Sequence, residues 1–140
     1  FPEADVPVLQ LSLQARLDPA EHIAIARALA PLRDEGVLIV GSGMSYHNMR
    51  GYRDPRSTPV SAEFDRWLTE TVALPAPERD ARLADWAAAS GPAGRLSHPP
   101  RAEEHLLPLH VAAGAAGEGR GRKVFSDEVL ATTISAFRFD

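Results

Sequence analysis

Leu17-Asp-Pro-Ala-Glu21 opens the stretch LDPAEHIAIARALAPLRDEGVLIVGSG, residues 17–43, whose reading decides the fold. Asp18 can cap a helix, Pro19 takes its first position, and Glu21 follows three residues after the cap. Apolar Ile23, Ala26, Leu29, Ala30 and Leu32 mark one buried face, and Gly36 is placed to stop the helix. Val37 to Val40 is a continuous aliphatic run, expected as a strand covered on both faces. Upstream, Val6 to Leu13 (VPVLQLSL) is rich in strand formers and partly alternating. Strand, helix, strand in that order predicts an α/β fold with a central, mostly parallel sheet, helices on both faces and crossover connections.

Beyond residue 43 the periodicity predicts further helices. One spans Ser61 to Leu74, with Phe64, Trp67, Leu68 and Val72 inward. Another spans Glu78 to Ser90, with Leu83 and Trp86 inward and Gly91-Pro92 ending it. Gly94 to Pro100 is expected to be extended because of Pro99 and Pro100. A helix from about Ala102 to Ala113 follows, in which Pro108 introduces a kink or marks a short first turn. Gly114 to Gly121 reads as a mobile, glycine- and alanine-rich loop. Val124–Leu130 and Thr132–Phe139 have the composition of late strands.

The 140 residues fit one domain or part of a larger one, and 44% hydrophobic with 24% charged residues describes an ordinary soluble chain. No cysteine is present, which excludes disulfides, thiolate metal sites and a cysteine nucleophile, and suits a cytoplasmic location. A net charge of −4 argues against nucleic acid as a partner. Arg120, Arg122 and Lys123 are glycine-interleaved and read as a solvated turn. No apolar run approaches the length needed to span a bilayer, so no membrane role is expected. The opening Phe1-Pro-Glu-Ala-Asp-Val-Pro has neither an initiator methionine nor a signal-peptide pattern, and is read as the start of a fragment or of a mature product.

Chemistry concentrates in two histidine-bearing segments. Gly41-Ser-Gly-Met-Ser-Tyr-His47-Asn48 lacks the lysine of a P-loop, the third glycine of a dinucleotide fingerprint and the nucleophile-elbow pattern. It remains a glycine-bounded turn at a strand end, where α/β proteins gather their ligands. Such a turn can aim the His47 imidazole into a cleft for proton transfer or metal ligation; the alternative is a loop histidine bonded to nearby backbone. His98-Pro-Pro-Arg-Ala-Glu103-Glu104-His105 brings two histidines and two carboxylates together, a plausible hard-metal ligand set. His98 and His105 share one site only if the chain folds back. The carboxylates have a second reading as complements of a helix dipole. Arg101 is a candidate partner for one of them. His22 reads as a surface or packing residue, and Trp67 and Trp86 as core. His110 lies about 140° round an ideal helix from His105, so it is assigned to packing or to support of the site.

Taken together, the segments ADVPVLQLSL, LDPAEHIAIARALAPLRDEGVLIVGSG, His47-Asn48, FDRWL, HPPRAEEHLLPLHVAAGAAG and SAFRF carry a specific resemblance. The chain resembles the C-terminal half of the DODA-type (4,5-DOPA dioxygenase-like) branch of class III extradiol ring-cleaving dioxygenases, the LigB superfamily. The resemblance covers nearly the whole chain. It implies that residues 1–140 are the C-terminal part of a single catalytic domain whose N-terminal part is absent here. It implies an enzyme that opens a catechol-type aromatic ring beside its hydroxyl pair with O2 at a non-haem metal, Fe(II) being expected and zinc possible. His47 matches the family's acid/base histidine, near the metal's edge, and His105 the metal-ligating histidine of the EH motif. Asn48, His98 and Glu104 become candidates for substrate contact or for support of the ligands.

In this family the first part of the chain supplies further metal-ligating histidines, so the segment here carries half of a metal site. Absence of that part would leave apolar surface exposed and favour homo-oligomers. Two other readings remain: a zinc-dependent hydrolase-like protein using the same histidines around bound water, and a truncated, non-catalytic homologue acting as an interaction domain.

Overall fold

A computed structural model describes residues 2–140. Asp18 caps the first helix, α1 (Pro19–Arg27), as expected, its Oδ1 accepting the Glu21 N–H at 2.8 Å. The helix stops earlier than its apolar pattern suggests, and α2 (Ala30–Asp34) follows as a separate short helix. Pro31 is the physical reason: it has no N–H to continue the α1 ladder and instead occupies the first turn of a new helix. Gly36 takes φ +82° and turns the chain out of α2.

α3 (Ser57–Val72) is the longest element and carries the expected stripe of Phe64, Trp67, Leu68 and Val72, all buried. The next predicted helix is broken at Asp85 into α4 (Ala76–Ala84) and α5 (Trp86–Ala89). α6 (Pro92–Ser97) replaces much of the extended segment expected over 94–100. The two prolines restrict only the residues before them, so His98 is extended (φ −132°, ψ 89°) while Pro92 starts a helix upstream. A 3-10 turn (Glu103–His105) leads into α7 (Leu107–Ala115), with Pro108 in its first turn.

Gly114 to Ala116 is buried helix end rather than mobile loop. α1 crosses α7 there, and a Cβ on Gly114 would collide with the Ile23 carbonyl oxygen. The core gathers Ile23, Phe64, Trp67, Leu68, Leu83, Trp86, Ala93, Leu106 and Ala113.

The chain is mixed α/β, and among the described residues its sheet is a single antiparallel hairpin. β1 (Gly121–Val129) pairs with β2 (Thr132–Phe139) in a register running from Gly121↔Phe139 to Val129↔Thr132, with a bulge between Lys123 and Phe125. Lys123 is therefore in a strand rather than a solvated turn, and its ammonium pairs with the Asp65 carboxylate of α3. The parallel sheet expected from residues 6–13 and 37–40 is not formed: both segments run without ladder partners. Their side chains are solvated accordingly, Leu9 being 98% and Leu38 79% exposed. No helix among the described residues is long and apolar enough to cross a membrane.

Arg79 of α4 ties these elements together. Its side chain is fully buried, and its guanidinium donates to the carbonyls of Ala113 and Gly117 at 2.9 Å each, to Gly119 O and to Asp80 Oδ1. It thereby satisfies orphan carbonyls where α7 ends, and lies over the Phe139 ring at 5.5 Å. Asp80 in turn accepts from Arg27 of α1 at 2.9 Å. Replacing Arg79 with Met keeps the packing volume but strands several buried acceptors. A loss of about 3 kcal/mol or more is expected in urea unfolding; an unchanged midpoint would show that water satisfies those carbonyls.

Candidate functional site

The turn from Gly41 to Asn48 lies flat against the start of α7 because two of its residues lack side chains. A Cβ on Gly41 would strike the Pro108 carbonyl oxygen, and one on Gly43 the His105 carbonyl oxygen. This approach lets the Met44 N–H donate to His105 O at 2.8 Å. On the other side, the turn is bonded to the end of α6. The His47 N–H donates to Ser97 O at 3.1 Å, and Asn48 Nδ2 donates to Leu96 O at 2.8 Å. Tyr52 completes the support, its hydroxyl donating to Tyr46 O at 3.0 Å.

These bonds bring His47 and His105 together. Their ring centroids are 3.7 Å apart with planes tilted by 35°. Glu104 Oε1 lies 3.8 Å from His105 Nε2, and one ligand atom from each of His47, Glu104 and His105 falls within 4.8 Å of the others. His47 is half-buried, while His105 and Glu104 open to solvent. Burial holds the His47 pKa below the ordinary histidine value; the neighbouring His105 adds to this and Glu104 opposes it. His47 Nδ1 is inaccessible to solvent and has no hydrogen-bond partner. Two imidazoles and a carboxylate, with one buried ring nitrogen unsatisfied, make a donor set that fits Fe(II) or Zn(II).

The other sequence candidates divide. His98 does not join His105 at the cluster: it is fully buried behind the turn, between Phe64 (ring centroids 5.5 Å) and Trp86 (5.9 Å). Burial pushes its pKa down to about 3. Asn48 is occupied with backbone, since its Oδ1 also accepts the Arg50 N–H at 3.1 Å. Glu103 pairs with Arg95 at 2.9 Å, where sequence suggested Arg101 as a partner for one of the two glutamates. His22 and His110 are packing residues. His22 accepts from the Gln14 N–H at 3.0 Å, and His110 Nε2 donates to Leu83 O at 2.9 Å with its pKa lowered by burial to about 4.

Sequence inspection missed the groove beside the cluster. It measures about 820 Å³ and runs between residues 37–45, α7 and β2, with Met44, Leu106, Leu109 and Phe137 in its walls and His105 at its edge. No local pattern announces it, because its walls come from three separate segments.

The family described as "Catalytic LigB subunit of aromatic ring-opening dioxygenase" matches residues 1–138. A "4,5-DOPA dioxygenase extradiol" of Beta vulgaris is 46% identical over 125 residues, covering 84% of this chain and 42% of that protein. The "Dioxygenase tasH" of Hapsidospora irregularis is 36% identical, covering 97% of this chain and 44% of the relative. A crystal structure of the uncharacterized protein JW3007 from Escherichia coli K12 superposes with a TM-score of 0.78 at 27% identity, covering 98% of this chain and 57% of that one. The chain thus spans less than half the length of the curated relatives it matches.

Burial of His98 and His110 sets a pH response. Their folded-state pKa values, about 3 and about 4, lie below the ordinary 6.5, so the unfolded chain takes up protons first as pH falls. Stability from both groups is complete above that ordinary value and is lost on acidification toward the folded values. Urea midpoints measured from about pH 7.5 down to about pH 4 are expected to fall steadily, with proton uptake on unfolding approaching two per chain. A flat profile would contradict burial of neutral imidazoles at these positions.

Proposed function

This chain belongs to the LigB family of aromatic ring-opening dioxygenases, and we propose that residues 1–140 form the C-terminal part of one catalytic domain that opens a catechol-type ring with O2. The observation that carries this reading is the ring-to-ring meeting of His47 and His105 from two separate segments, at the edge of an apolar groove. The exposed apolar side chains of residues 6–13 support the view that further LigB-type structure packs on this one.

In this reading His105 is a direct metal ligand and His47 is the acid/base, close enough to stand at the metal's edge. Glu104, adjoining both rings, offers a further oxygen donor. Fe(II) is the expected metal and zinc the alternative; bound there, iron would supply the Lewis acidity and electron transfer that reaction of a catechol with O2 requires, whereas zinc would supply Lewis acidity alone.

His47 performs the proton chemistry. Held neutral by partial burial, it accepts a phenolic proton from the substrate and returns it later in the reaction. The second imidazole also lowers the His47 pKa and so keeps it a base near neutrality. Asn48 contributes by holding the loop that carries His47 rather than by touching substrate. Met44, Leu106 and Leu109 give the groove the apolar wall that an aromatic ring needs, and keep water from the face of the ring.

With only part of the ligand set, the isolated chain is expected to bind metal weakly and to leave catechols intact. In a full-length LigB polypeptide carrying these residues, His105→Ala abolishes both metal retention and ring opening. His47→Ala weakens metal retention without abolishing it and lowers kcat by about 10²- to 10⁴-fold. Metal analysis together with the absorbance of a ring-opened product under air reads both outcomes. Zinc-dependent ester hydrolysis without any ring-opened product would favour the hydrolase-like reading. Stoichiometric iron and turnover in the 140-residue chain alone would overturn the view that it is part of a site.

A further inference from the structure

The peptide group of Met44 is bonded on both of its sides, and one of the two partners is a side chain. Its N–H donates to His105 O at 2.8 Å, while its carbonyl oxygen lies 3.2 Å from His98 Nε2. A carbonyl can only accept, so His98 carries its proton on Nε2 and Nδ1 is left as a bare lone pair. Among the described residues that buried Nδ1 has no partner, and Nε2 makes the only hydrogen bond of the ring. Phe64 and Trp86 fix the ring from two directions, Trp86 meeting it edge-on at 82°. The neighbouring backbone repeats the connection, since the His47 N–H donates to Ser97 O.

We propose that His98 is a positioning residue: its Nε2–H, acting through the Met44 peptide, sets the separation of the His47 and His105 rings. Met44 stands three residues before His47 and is bonded directly to His105, so moving its peptide moves the two rings relative to each other. Phe64 and Trp86 pack on the His98 ring, the imidazoles of His47, His105 and His110 lie near it, and its complete burial keeps it from direct contact with substrate. The consequence for metal affinity rests on the function proposed above, whereas the ring separation does not.

Glutamine and asparagine distinguish the two ring nitrogens, since the amide nitrogen of Gln reaches the position of Nε2 and that of Asn the position of Nδ1. Proton NMR of the 140-residue chain should show cross-relaxation between the His47 and His105 rings in the wild type and in His98→Gln. It should be lost in His98→Asn and His98→Leu that remain folded by circular dichroism. Zinc titration of the same four proteins should show affinity within about threefold of wild type for His98→Gln, and a loss of about 10- to 100-fold for the other two. Ring cross-relaxation that persists in folded His98→Asn and His98→Leu would overturn the proposal. Should those variants fail to fold, the nitrogen-15 shifts of His98 in the wild type decide: an Nε2–H tautomer is expected, and an Nδ1–H tautomer would overturn it. The isolated chain carries only part of the ligand set, so if none of the four proteins binds zinc the ring measurements alone decide the role of His98.

Discussion

Every feature of the histidine cluster passes through the close contact between the 41–48 turn and the backbone where the 3-10 turn ends and α7 begins. Backbone approaches backbone there with no side chain between, because Gly41 and Gly43 stand opposite the carbonyls of Pro108 and His105. Buried peptide groups must be paired, and at this crossing Met44 is paired on both sides, to His105 O and to His98. The functional side chains are carried at the edges of that bonded patch. His47 follows Met44 on one strap, and His105 is itself the residue whose carbonyl is used.

The contact is held from behind by burial of polar groups that would otherwise destabilise the interior. Arg79 gathers the carbonyls at the C-terminal end of α7, and Asp80 shares its charge with Arg79 and Arg27. The N-terminal end of the same helix carries the His105 segment. Both ends of α7 are thus fixed by hydrogen bonds rather than by apolar packing alone, which fixes the position of the His105 segment at its start. The hairpin is fastened in a similar way. Asp65 receives Lys123 and the Ser135 hydroxyl, and the Ser135 N–H reaches Ser45 beside the turn. Its tight corner at Leu130 and Ala131, both with positive φ, is held by Arg53 and Thr58.

Much of the local structure was legible in the residues. Asp18-Pro19 set the start of α1, and the spacing of Phe64, Trp67, Leu68 and Val72 set the buried face of α3. The hairpin strands were legible from their composition. The failures have physical causes as well. A helical stripe does not reveal that Pro31 divides it, and Pro99-Pro100 were read as acting further upstream than a proline ring can reach. VPVLQLSL and VLIV have strand chemistry, but a ladder needs a partner, and pairing is a non-local property that composition cannot supply.

The sequence by itself determined the donor types: histidines at 47 and 105, a carboxylate at 104, glycines at 41 and 43, and the family those residues share with known relatives. Spacing left the two histidine segments as separate candidates, and only the resemblance put His105 ahead of His98. The tertiary structure adds the physical reason: His105 opens to solvent, whereas His98 is enclosed by Phe64 and Trp86. The distance between His47 and His105 is likewise set by long-range backbone hydrogen bonds, whose partners lie far apart in the chain and leave no trace in either local pattern.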